Sequence, residues 1–218
     1  MTSSGTTNVV AVAHNASFGE VMTVPRLNSH QRGRISKMSL ARFVLQGTVG
    51  GLMTGHGLQK LNGSFGGSGL EATEKGFAAL GLYPAKWQAK AAALSETIGG
   101  GLTAVGLLSP LGPAMITGTM AVAIAKVHAK NGVWGTKGGF EYNATLMAAA
   151  FLLASEGPGA ISIDGLLRRS RSGLQWGALS LALGLGGAAA TLAIAHKFTP
   201  ASGETASPAS DAVDDASA

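Results

Sequence analysis

The chemistry open to this chain is carried by a few ionisable side chains set among apolar residues. Glu96 is the one charge in a 35-residue run from Ala91 to Ala125. His56 and Lys60, four residues apart, close an earlier apolar stretch; Lys126 and His128 close a later one, and Glu141 opens the next. Carboxylates and imidazoles in such surroundings can pass protons or hydrogen-bond a polar ring such as a quinone headgroup. Ionisable groups at membrane depth are costly, so they point to function by default. Plainer accounts stand beside this one. Glu141 suits a helix N-terminus, Lys60 and Lys126 suit snorkelling to headgroups, and Glu96 suits a structural ion pair. His56, between Gly55 and Gly57, suits a helix-end cap. His56 and His128 are of a type that ligates b-type haem, but nothing in the sequence marks their mutual distance. No metal site is expected. The chain has no cysteine, which excludes thiolate nucleophiles, iron–sulfur ligation and covalent c-type haem.

The elements that position these groups follow from composition. Of 218 residues, 12% are charged and 46% hydrophobic, with 33 glycines besides. Ordinary soluble domains carry about 25% charged residues, and the mean hydropathy here is +0.28. Uncharged or nearly uncharged stretches recur at Phe43–Gln59, Ala91–Ala125, Tyr142–Ser155 and Ser172–Ala195. A membrane-crossing helix needs about 20 mostly apolar residues. The longest stretch carries its own break, Ser109-Pro110-Leu111-Gly112-Pro113, and reads as a hairpin of two helices. We therefore expect an all-α integral membrane bundle with helices near 40–60, 88–108, 112–130, 140–157 and 174–196. The competing fold, a soluble protein with apolar core helices, fits poorly with five such stretches in succession.

The ends and connections differ in character. Residues 1–38 are Ser/Thr/Asn-rich and then basic at Arg26, Arg32, Arg34 and Lys37; residues 199–218 are acidic among Ala, Ser and Pro. Both read as disordered tails, with residues 166–198 as a linker and fifth helix. Leu61–Lys86 is too long for a simple connection. Within it Leu70, Phe77 and Leu80 share a helical face with Thr73, opposite Glu71 and Lys75. That pattern fits a short interfacial helix with its apolar face toward bilayer or bundle. Gly47, Gly51 and Gly55 form a small-residue stripe, read as internal packing ahead of a homo-oligomer face.

If the helices alternate, His56, Lys60, Lys126, His128 and Glu141 gather at one surface, with Glu96 about 9 Å deeper than Lys90 at 1.5 Å per residue. Glu96 is then expected to hydrogen-bond a polar residue of the first helix, His56 foremost. At the other surface Arg42 and Asp164 are candidates to pair. Eight basic residues fall on each side, but the first helix has the more basic N-terminal flank, which favours a cytoplasmic N-terminus. The sequence pI of about 9.8 does not indicate nucleic acid, because the basic residues are scattered between apolar runs and fit lipid headgroups better.

In order and spacing the chain resembles the DoxX-like membrane proteins. The matching pieces are Arg42 before a glycine-rich helix, His56-Gly57-Leu58-Gln59-Lys60-Leu61, and Glu96 with Gly99-Gly100. They continue in Lys126-Val127-His128, Gly138-Gly139-Phe140-Glu141-Tyr142, and Gly157-Pro158-Gly159 with Ser162-Ile163-Asp164. The resemblance covers residues 40–165. It implies a four-helix core in a bacterial inner membrane, to which helix five is an addition. It also implies a redox-linked subunit with quinone as the candidate cofactor, since the family is named for a subunit of quinone-linked sulfur oxidation. Glu96 and His56 are then the candidate proton or quinone site, with His128, Glu141 and Lys60 as candidate cofactor contacts. A non-enzymatic anchor recruiting soluble redox enzymes is the alternative. A transporter ranks last, because no internal repeat or pair of broken helices is present. Whether the chain is an enzyme stays open at this stage.

Overall fold

The computed structural model describes residues 29–169 and 171–200, with side chains from Leu40 onward. Every element among them is helical. α1 runs Ser29–Asn62, α2 Gly69–Ala79, α3 Ala85–Val105 and α4 Leu111–Ala123. α5 is Glu141–Glu156, α6 the single turn Ile163–Leu166, and α7 Leu174–Phe198. The five expected long helices are present, with α3, α5 and α7 within a few residues of their expected bounds; α4 starts as expected but ends as a regular helix at Ala123, seven residues short of 130. α1 departs most. It begins at Ser29, so the basic segment through Lys37 is helical backbone and Arg42 lies well inside the helix rather than at its start. Of the expected tails, 1–38 and 199–218, residues 1–28 and 201–218 lie outside the described residues.

Local chemistry sets the breaks. α3 starts after Pro84 and stops at Gly106, whose left-handed backbone (φ 62°) returns its N–H to Leu102 and Thr103 carbonyls. α4 starts after Pro110 and holds Pro113 in its first turn, where no N–H is needed. α2 sits at the expected place between two glycine-rich turns. Its apolar residues Phe77 and Leu80 face the bundle, and Glu71 and Lys75 pair outside at 2.9 Å.

α1 lies along α3, α4 packs between α3, α5 and α7, and α2 rests on α3 and α1. The core joins Val49 and Met53 of α1, Ile116 and Met120 of α4, and Leu146 and Leu153 of α5. The α1–α3 contact is backbone against backbone. A Cβ at Gly50 would strike Ala104 and Gly100, and one at Gly57 would strike Thr97 and Ala93. The expected stripe is therefore displaced: Gly47, Gly51 and Gly55 meet nothing and lie on the outer face. Glycine spacing alone reports a smooth face, while its phase relative to the core decides which face packs.

By length and composition one described helix, α7, qualifies to cross a bilayer. The others are shorter or interrupted: α5 has 16 residues, the regular part of α4 has 13, and α3 carries Lys86, Lys90 and Glu96. The coarse class, an all-helical bundle, stands; five crossings are more than the helices show one by one.

Candidate functional site

The bundle brings sequence-distant polar groups to one end. α1 and α4 finish there, and α3 and α5 begin there. The glycine contact between α1 and α3 holds Lys60 near Glu96, and Lys60 Nζ meets Glu96 Oε2 at 2.5 Å. The Glu96 side chain is 6% exposed and that of Lys60 30%. The partner of Glu96 is thus a polar residue of the first helix, as expected, but it is Lys60 and not His56. Lys60 is one helical turn beyond His56, and its long flexible stem reaches back to a carboxylate set deeper in the bundle.

His56 Nδ1 instead donates to Gln59 Oε1 at 3.1 Å, and the Gln59 amide nitrogen donates to the Phe65 carbonyl. The His56 ring meets Tyr142 edge-on, centroids 6.4 Å apart. α4 does not end as a plain α-helix: Ile124–His128 forms a π-turn, a feature often found at functional sites. Both Lys126 and His128 of this turn face the same space as Lys60. His128 Nδ1 donates to the Gly138 carbonyl at 2.8 Å, which leaves Nε2 with the lone pair in the neutral ring.

These groups line a cavity of about 740 Å³, well within the range of ligand sites. Its polar contributors include His56, Lys60, Glu96, Lys126, His128 and Tyr142. Phe77, Leu80 and Leu82 of α2 and its C-terminal turn close one side, and α4 and α7 supply apolar walls. Glu141 is the exception among the expected residues. It is exposed and does not line the cavity; its carboxylate lies against Gly135 in the preceding turn. Its neighbour Tyr142 takes the place at the wall. Gln88 and Ser95 also line the cavity and were missed by sequence reasoning, although their spacing of seven residues puts the two on one helical face. No group of three or more His, Cys, Asp or Glu able to hold a metal occurs among the described residues.

The opposite end is built differently. Arg42 donates to Gln46 at 2.6 Å and to the Leu153 carbonyl at 3.2 Å, not to Asp164. Asp164 is 1% exposed, accepts the Ser109 N–H at 2.9 Å, and lies 3.6 Å from Arg169. The expected Arg42–Asp164 pair fails because each has nearer partners: Arg42 one turn along its own helix, Asp164 in the turn that joins α3 to α4.

The DoxX family model matches residues 40–129. That segment, rather than the whole chain, is similar to DoxX. The match holds His56, Lys60, Glu96, Lys126 and His128, all of which line the cavity. It stops short of the expected 165, so the DoxX segment excludes Tyr142 and the whole of α7. No curated relative and no solved structure matches the chain.

Proposed function

We propose that this DoxX-like protein is a multi-pass membrane subunit that holds a quinone-type headgroup at the cavity end of its bundle. The observation that carries the reading is the Lys60–Glu96 ion pair in a cavity whose other walls are mostly apolar. Breaking a charge pair in such a place is costly, and a ligand that offers a hydrogen-bond partner to one member at the wall is well suited to it. Glu96 and His56 are the groups for proton exchange; Lys60 and His128 are contacts for the ring oxygens. Glu141, outside the cavity, has no part in it.

Membrane placement is supported by exposed apolar side chains on the outer faces of α1, α3, α5 and α7, among them Leu52, Ile98, Leu152 and Leu185. Trp87 and Trp134 are both 67% exposed near Lys86, Lys90, Lys130 and Lys137, an arrangement suited to the headgroup region. Five crossings place the two tails on opposite faces, with the N-terminus cytoplasmic.

The test is purification in mild detergent, followed by solvent extraction, an optical spectrum and identification of co-purifying proteins. Quinone near one per chain is expected. Extracts free of quinone, together with a stoichiometric soluble enzyme, would overturn the reading in favour of an anchor. The exposed turn 131–138, with Val133 and Trp134 at its surface, is the segment such an enzyme would engage.

A further inference from the structure

We propose that α7 is the chain-binding wall of this site, and that the ligand is a single-headed amphiphile whose long hydrocarbon chain lies in the groove between α3, α4 and α7. The proposal rests on the headgroup reading above and extends it to the rest of the molecule.

The lining changes character along α4. Lys126 and His128 stand at one end of the groove, and Met115, Ala114 and Leu111 at the other. From Leu111 to Lys126 an α-helix rises about 22 Å. One leaflet of a bilayer core is about 15 Å deep. The groove is therefore long enough for an extended lipid-like chain and far longer than a ring alone requires. The charged and imidazole groups are confined to one end, which fixes which way such a molecule lies.

α7 paves the groove with small residues, and two of its glycines do different things. Gly184 is a packing residue, since a Cβ there would strike Ala114 and Thr117 of α4. Gly187 also lines the cavity, yet a Cβ there would meet no atom within 4 Å. Its missing side chain is space for something other than the protein. The wall is held in register by Gln88 of α3, which donates to the Thr191 carbonyl at 3.2 Å. Because α7 lies beyond the DoxX match, this wall is an addition to the DoxX segment.

Gly187 gives a clean test, because bulk placed there fills the groove without disturbing helix contacts. Gly186, the adjacent residue, is equally open but does not line the cavity, and serves as the control. Binding of two benzoquinones with the same ring, one carrying a long isoprenoid chain and one a short chain, is measured on the purified full chain. Spin-labelled stearic acid is the third probe. Wild type is expected to prefer the long-chain quinone by at least about tenfold. Gly187→Phe removes that preference and leaves the short-chain quinone unchanged, while Gly186→Phe keeps it. If Gly187→Phe fails to accumulate, Leu183→Trp on the same wall gives the same loss. Equal binding of both quinones, a preference that survives Gly187→Phe, or one lost equally in Gly186→Phe overturns the groove and leaves the headgroup reading standing. If neither quinone binds but stearate binds and is lost in Gly187→Phe, the headgroup reading falls and the groove stands. If no probe binds, both fall.

Discussion

The two ends of the bundle use the same kinds of residue for different purposes. At the α6 end, Arg42, Gln46, Asp164 and Arg171 tie loops to helices, and their partners are largely backbone: the carbonyls of Leu153, Ala104 and Ser109 and the N–H of Ser109. At the cavity end, Lys60, Glu96, His56 and His128 stand around open space and leave capacity unused, such as the His128 Nε2, which has no hydrogen-bond partner among the described residues. Buried charge at one end closes the fold, and at the other it borders room for a guest. A charged residue in an apolar helix is thus not informative by type alone; what it faces decides.

The contrast can be broken by substitution. The largest effect is expected from Lys60→Met, which leaves the buried Glu96 carboxylate alone and costs about 3–5 kcal/mol. Thermal unfolding in detergent reads it, and Lys60→Met with Glu96→Gln should recover most of the loss. A single variant as stable as wild type would mean that the pair contributes nothing. Next, Asp164→Ala strands the Ser109 N–H and should cost about 2 kcal/mol, with ligand binding per folded molecule unchanged. A binding defect there would merge the two ends into one site. Gly50→Ala drives a methyl into the α3 backbone and should cost about 1–3 kcal/mol, whereas Gly51→Ala, one residue on, should be neutral or slightly stabilising. Equal effects would refute the packing phase of α1. Smallest is Lys75→Ala, which removes an exposed pair on α2 and should shift stability by no more than about 0.5 kcal/mol.

Much of this was legible in the sequence. Proline and glycine breaks placed α3, α4, α5 and α7, and the face split of α2 placed Phe77 and Leu80 inward. Alternation of helices was enough to gather His56, Lys60, Glu96, Lys126 and His128 at one end. What escaped depended on side-chain reach and on helix phase. Spacing cannot tell that Lys60 stretches back to Glu96 while His56 turns to Gln59. Nor can it tell that Tyr142 rather than Glu141 lines the cavity, because adjacent residues at the start of a helix differ by about 100° of rotation. The early start of α1 escaped because its basic, polar composition resembles a tail, and composition does not report helicity that continues outward from a packed segment.

The central claim is that the cavity end holds a headgroup through Glu96. Binding of the long-chain benzoquinone to purified wild type, Glu96→Gln and Asp164→Asn tests it most directly, with unfolding followed in the same samples. Glu96→Gln keeps the shape of the side chain and removes its charge and proton. The account predicts at least about a tenfold loss of binding in Glu96→Gln, the scale of one hydrogen bond to a charged group, with folded protein still accumulating, and wild-type binding in Asp164→Asn. Wild-type binding in Glu96→Gln would contradict it and leave the Lys60–Glu96 pair a structural contact like those at the other end.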